Sequence, residues 1–549
     1  MKMKCITILL LCLALVFSSG PAKGETANDA KRLAGWYVSF DEGGQAVLNR
    51  GIIGIQNGMI SDIQPYREGE ADVIYPDEDC VIFPGLIDLH SHMTYNYIQL
   101  TKFHENTAAP WDNRFEWQET REYQTRIEDK EDAITGLWQE PYNIPNVLYG
   151  DLIDYFLEFQ AAAGGTTLIQ VNPDKKGVYD LEDFHQNVRL IRATGDAPDL
   201  GTDRPVMGLT KIFTPDPALS PDDPLTYLPP QDTSGWGIAN VPDRNAQKPS
   251  VEVLLDNIRN NTGDGYLIHL SEGRAGNIQN GADAFSRLEF ETLKKYITEG
   301  VEKGNFTIRD VRNAHINLIH GCAIDLDSEE DYRFISDYGI GLIWSPVSNL
   351  LLYEDTPNFY DFLSHKDIMI ALGSDWSPSG SKTVWDECKF AFNFAPLSAE
   401  DLLRACTLTP AGMIGNDKVG NIQEGRFADF FILKGMDQAT LQSALDLFIE
   451  ADDSAVEGVI VGGKAIYGEE ALLTAFGSGT YGQYAGTSEK LSSKYLLIPD
   501  IFEGTSLQTL WQDYSSIIQN AGIDFSEIRT SEDDVYRQDI EALEEKFFN

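Results

Sequence analysis

The sequence predicts an α/β protein: a (β/α)8 barrel of the TIM type, with a small β-sandwich domain built from both chain ends. Three observations carry this. Eight short apolar runs recur between residues 81 and 373, separated by helical patterns, as in a parallel barrel. Two β-rich stretches flank that long middle region. Histidines and one aspartate stand where several of the apolar runs end, the face on which barrel active sites are built.

In chain order, residues 1–24 read as a signal peptide. Lys2 and Lys4 give a positive start, residues 6–17 are apolar, and Ala22-Lys23-Gly24 fits a small-residue cleavage site. The apolar run is too short to span a bilayer comfortably. The mature chain is therefore expected to be exported, periplasmic or extracellular. Residues 36–83 form the first part of the sandwich. Within them, Asn57-Gly58 divides two apolar stretches, a hairpin signal. Residues 84–419 form the barrel, with candidate strands at 81–89, 166–171, 187–192, 206–213, 266–270, 316–320, 340–344 and 368–373. Two inserts, 101–146 and 215–250, are candidate lids or plain surface loops. Residues 420–484 return to the sandwich through Val456-Glu457-Gly458-Val459-Ile460-Val461-Gly462-Gly463. Residues 485–549 are a C-terminal extension ending in an acidic amphipathic stretch, expected to be helical.

Composition narrows the function. With 42% hydrophobic residues, 9 Trp, 23 Tyr and 27 Phe, the chain can bury a large core. A formal charge of −44 disfavours nucleic acid and anionic membranes, so no nucleic-acid partner is expected and no membrane contact after signal cleavage. The expected partner is a small-molecule substrate. Cys5 and Cys12 fall in the signal. Cys80, Cys322, Cys388 and Cys406 are widely spaced and read as buried thiols, not as a disulfide framework or a metal knuckle.

The chemistry is carried by four strand ends. Phe83-Pro84-Gly85-Leu86-Ile87-Asp88-Leu89-His90-Ser91-His92 ends in an HxH pair, and residues i and i+2 of a strand share a side, so His90 and His92 can converge on one ion. Tyr266-Leu267-Ile268-His269-Leu270-Ser271-Glu272 offers His269 as a third ligand and Glu272 as a proton carrier. Ile316-Asn317-Leu318-Ile319-His320-Gly321 places His320 to ligate, or to polarise substrate and hold water. Ile368-Met369-Ile370-Ala371-Leu372-Gly373-Ser374-Asp375 ends in a carboxylate able to bind metal and accept a proton. Of the remaining histidines, His185 and His365 read as surface residues and His315 faces the wrong end. His104, in the first insert, could reach the site.

On these residues the chain resembles the amidohydrolase superfamily over roughly residues 36–470. Ser345-Pro346-Val347-Ser348-Asn349-Leu350 resembles its P-x-S-N segment, and Gly425-Arg426-Phe427-Ala428-Asp429-Phe430 its G-x-x-A-D return. The His-x-x-Glu spacing at 269–272 resembles the branch of cytosine deaminase, guanine deaminase and the triazine hydrolases. That resemblance implies one divalent ion, Zn²⁺ or alternatively Fe²⁺, on His90, His92, His269 and Asp375. It implies Glu272 as proton shuttle, His320 orienting water or substrate, and Asp375 in both roles.

The sequence thus predicts an enzyme: a metal-dependent hydrolase acting on a carbon–nitrogen bond other than a peptide bond, with deamination of a cyclic amidine as one form. The rival is a two-metal lactonase, imidase or dipeptidase using a carboxylated Lys211. A non-enzymatic rival is a secreted binding protein on an inactive barrel.

Overall fold

The computed structural model describes residues 30–100, 110–170, 188–202, 206–209, 212–215, 238–240, 250–260, 262, 265–278, 281–477, 479–486, 488–523 and 534–547. The expected signal peptide, His104, His185, Lys211 and most of the 215–250 insert lie outside the described residues. Among the described residues no helix is long and apolar enough to cross a membrane.

Gly85 divides the first apolar run into two strands with different partners. Cys80–Pro84 joins an antiparallel neighbour, Phe430–Lys434, with Ile82 opposite Ile432. Leu86–Asp88 begins the parallel system. The chain passes so close to its neighbour here that a Cβ on residue 85 would meet Thr167 Oγ1 at 2.2 Å. An apolar run alone does not reveal such a division, because both halves are fully buried.

Eight parallel strands carry the middle region. They are β1 (Leu86–Asp88), β2 (Thr166–Ile169), β3 (Arg192–Ala193), β4 (Val206–Leu209), β5 (Gly265–Leu270), β6 (Ile316–His320), β7 (Gly341–Trp344) and β8 (Met369–Leu372). They form two arcs in sequence order, β1-β2-β3 and β4-β5-β6-β7-β8. Backbone hydrogen bonds cross both gaps. Val206 N donates to Thr194 O at 2.8 Å, and Asp375 N donates to His90 O at 2.8 Å. Ile87, Leu168, Leu267, Ile319, Ile343 and Ala371 are fully buried in one apolar cluster shared by the strands. Near-continuous apolar strands of this kind are what a parallel sheet covered on both faces requires.

Among the described residues, the remaining β-structure is a two-stranded antiparallel pair, Phe213–Pro215 with Ile238–Asn240, and one nine-stranded sheet drawn from both flanks. Its order is Thr480–Gln483, Lys494–Ile498, Lys464–Glu469, Val456–Val461, Phe430–Lys434, Cys80–Pro84, Lys31–Phe40, Ala46–Gln56 and Met59–Pro65. All pairings are antiparallel except Lys31–Phe40 with Cys80–Pro84. The hairpin expected at Asn57-Gly58 is present, with Gln56 opposite Met59 and φ of 53° and 74° at the two turn residues. Residues alternate between faces: Val81 and Phe83 enter the main core, while Cys80 and Ile82 enter a second cluster with Leu33, Ile53, Phe430 and Ile460. The 485–549 stretch contributes the strand Lys494–Ile498 as well as the helices Leu507–Asn520 and Asp534–Phe547.

Two connections shape the surroundings of the strand ends. The insert after β1 is pinned beside β5: Asn113 bridges Gly273, and Arg274 N donates to Asp112 O at 2.8 Å. The helix Ala284–Glu302 starts under an Asp283 cap, whose carboxylate accepts from Ser286 N at 2.7 Å, and it buries Phe285, Leu288, Leu293 and Ile297. Elsewhere in the core, Cys388 and Cys406 are buried free thiols with their sulfurs in contact at 3.2 Å.

Candidate metal centre

The strand ends bring the six expected residues into one cluster. Past β1 the chain bends at Leu89 and His90 and then bridges the end of β8 at Ser91, where His92 N donates to Asp375 O at 2.7 Å. That pairing puts His90, His92 and Asp375 on one side. His90 Nε2 lies 3.2 Å and His92 Nε2 3.7 Å from Asp375 Oδ1. His92 Nε2 and His269 Nε2 face each other at 3.0 Å. The His90 ring is 4.6 Å from that of His320. Ligand atoms of His90, His92 and Asp375, and of His90, His269 and His320, fall in two overlapping groups, each within 4.8 Å.

The donor chemistry fits a divalent ion. Burial lowers His90 to about 3 and drives His269 well below its usual value, so both imidazoles are neutral and present lone pairs. Burial alone would raise the Asp375 carboxyl, but the neighbouring imidazoles, His90 first, hold it well below the usual carboxylate range. Neutral imidazoles and a carboxylate, packed nitrogen to nitrogen, suit a borderline metal ion.

Two of the rings are oriented by a second partner. His90 Nδ1 meets Ser345 Oγ at 2.7 Å and His320 Nδ1 meets Asn349 Oδ1 at 3.1 Å, so the Nε2 atoms face the cluster. Asp88 fastens β1 to β8. Its Oδ2 accepts from Ser374 Oγ at 2.6 Å and its Oδ1 from His90 N at 3.2 Å. Burial pushes Asp88 up to about 7 against those bonds. Glu272 follows β5 at the cluster's edge. Tyr353 Oη donates to Glu272 Oε1 at 2.9 Å, while Oε2 lies 3.6 Å from His320 Nε2 and 3.5 Å from Arg114 Nη1.

Three of these strand-end residues are conformationally unusual. Ser271, His320 and Asp375 have φ of 61°, 65° and 63°, in the left-handed region that non-glycine residues seldom occupy. Such strain gathers at functional sites, where the surroundings hold it in place.

Sequence reasoning misses Arg114, Ser345, Asn349, Tyr353 and the role of Asp88. A signal for three of them is present. Ser345, Asn349 and Tyr353 are spaced i, i+4, i+8 along Pro346–Tyr353 and its cap, polar positions on one side of a mostly apolar helix, and they touch His90, His320 and Glu272 in turn. His315 and His365, expected to lie outside the site, are absent from the cluster.

The chain is similar to known proteins in sequence and in fold. Residues 263–466 match the amidohydrolase family. Guanine deaminase of Rattus norvegicus is 27% identical over 178 residues, 27% of this chain and 38% of that protein, so the match spans well under half its length. The 5'-deoxyadenosine deaminase of Methanosarcina barkeri is 22% identical over 465 residues, 80% of this chain and 92% of that protein. Among solved structures, an adenosine deaminase from Xanthomonas campestris with bound zinc aligns at a TM-score of 0.51 and 16% identity, over 89% of this chain and 98% of that one.

Proposed function

We propose, from the amidohydrolase-family match of residues 263–466 and the centre around His90, that this chain is a metal-dependent hydrolase acting on a non-peptide carbon–nitrogen bond, and that it deaminates a cyclic amidine. The observation that carries the reading is the convergence of His90, His92, His269 and Asp375, with His92 Nε2 and His269 Nε2 only 3.0 Å apart, beside Glu272. The similarity to deaminases of guanine and 5'-deoxyadenosine supports the substrate class.

His90, His92, His269 and Asp375 would hold one ion, zinc by preference given the zinc-bound structural neighbour, and that ion supplies a Lewis acid to the reacting centre. The chain's own groups move the protons. Glu272 takes a proton from the attacking water on Oε2, the oxygen facing His320, and returns it to the leaving nitrogen, while Tyr353 fixes Oε1. His320, oriented by Asn349, polarises the substrate or holds the attacking water from Nε2. Asp375, held ionised, takes the second proton of that water and passes it to the ring nitrogen, so that ammonia leaves and the carbonyl product is neutral.

The same reading takes β1 to β8 as a closed barrel within residues 84–419. It takes 36–83 and 420–484 as a sandwich domain, and residues 1–24 as a leader removed on export. The test is metal analysis of purified protein followed by ammonia release from guanine, 5'-deoxyadenosine and an aminotriazine, with an amide and a lactone as controls. One metal per chain and ammonia release support the proposal. Two metals per chain with lactone cleavage alone would sink it.

A further inference from the structure

The insert after β1 reaches the edge of the centre through Arg114. Arg114 is buried, and its guanidinium lies between two buried carboxylates: Nη1 is 3.5 Å from Glu272 Oε2 and Nη2 is 3.0 Å from Glu289 Oε1. Glu289 sits on the helix Ala284–Glu302, and its other oxygen accepts from Ser271 N at 2.9 Å. Ser271 is the strained residue immediately before Glu272. The backbone repeats the contact, with Arg114 N donating to Glu272 O at 3.2 Å. A second insert residue acts through an intermediary: Trp117 Nε1 donates to Tyr353 Oη at 3.0 Å, and Tyr353 donates to Glu272 Oε1. Both oxygens of Glu272 are therefore held by groups that the insert supplies or supports.

We propose that Arg114 is a positioning residue for Glu272, so that the insert following β1 is part of the catalytic apparatus. This rests on the proton-shuttle role proposed for Glu272. A carboxylate pulled toward His320 alone is free to turn about its side-chain torsions. One drawn to a guanidinium on Oε2 and bonded to a phenol on Oε1 is not. A planar guanidinium can address Glu272 and Glu289 through separate nitrogens, and a lysine offers one point charge in their place. The neighbouring carboxylate makes this arrangement necessary. Burial pushes Glu289 up to about 7, with Arg114 pulling the other way, so removing the guanidinium leaves two buried acids with no cation between them.

The test uses the full-length, zinc-loaded protein and the variants R114Q, R114K, E272Q and R114Q/E272Q. Two arms are read separately. Crystal structures of the parent and R114Q compare the Glu272 carboxylate. The proposal expects a shift of more than about 0.5 Å, the tolerance that catalytic geometry allows, with metal content unchanged. A Glu272 carboxylate that stays in place overturns it, whatever the substrate. In the kinetic arm, on ammonia release from guanine or 5'-deoxyadenosine, R114Q lowers kcat by about 10²-fold with little change in KM. R114K recovers part of that loss, and R114Q/E272Q is no slower than E272Q alone. Losses that multiply in the double variant mean Arg114 acts independently of Glu272, and the proposal falls. If the parent turns over no compound, the deaminase reading fails while the crystallographic arm still decides the role of Arg114. If R114Q does not fold, R114M, which keeps the length of the side chain and removes its charge, gives the same structural comparison.

Discussion

The strand ends around His90 and the nine-stranded sheet around Ile432 are equally buried and built on opposite terms. In the sheet, both faces are filled by chains such as Phe430, Ile432, Val459 and Ile460, and its turns place positive φ on Asn57, Gly58, Gly462 and Gly463. Each local choice there agrees with the fold. At the strand ends, three imidazoles and the carboxylates of Asp88, Asp375 and Glu272 are packed away from water, and positive φ falls on Ser271, His320 and Asp375. At the place where chemistry is proposed, departures from local preference coincide with buried charge, and the rest of the molecule holds them there.

That contrast can be broken or sharpened by substitution. The largest effect is expected from His90→Ala, which removes a ring shared by both ligand groups. Bound metal should drop from about one equivalent to near none after dialysis, and turnover should vanish with it. Metal retained at the parent level would show that the cluster holds its ion without His90.

Glu272→Gln comes next. The near-isosteric amide keeps the packing against Tyr353 but cannot carry a proton at neutral pH. Turnover should fall ~10²–10⁴-fold with metal retained. Full activity in this variant would take Glu272 out of the mechanism.

Ser345→Ala sits one step further out. It removes the partner of His90 Nδ1 and should weaken metal binding ~10–100-fold, measured by competition with a chelator, while the fold stays intact. The smallest effect on chemistry is expected from Ile432→Ala. Its cavity in the sheet should cost about 2–5 kcal/mol of stability in denaturant titration and leave the turnover of folded protein unchanged. A fall in turnover without a fall in stability would show that sheet and site are not separable.

The same division explains how much of the molecule is legible in the sequence. His90, His92, His269, Glu272, His320 and Asp375 each stand at or just past the end of an apolar run, so their candidacy shows in local order, and the structure gathers all six. Arg114 meets its carboxylates across 158 and 175 positions of chain, and no local pattern signals that pairing. The apolar run at 81–89 reads as one strand because burial on both faces erases the periodicity that would mark the break at Gly85. The third parallel strand, expected at 187–192, is the two-residue Arg192–Ala193, too short to leave a pattern.

The nine-stranded sheet has a consequence in time. Cys80–Pro84 lies between Lys31–Phe40 and Phe430–Lys434, so one of its edges waits for a partner made about 350 residues later. At ~5–20 residues per second that wait lasts roughly 20–70 s, during which Val81, Ile82 and Phe83 present an open apolar edge to the ribosome's surroundings. Unpaired apolar edges template association with other chains. Nascent chains stalled before residue 430 should therefore depend on chaperones far more than the finished protein does. A ribosome-release time course scoring aggregation against chain length would show the dependence ending once Phe430–Lys434 has emerged.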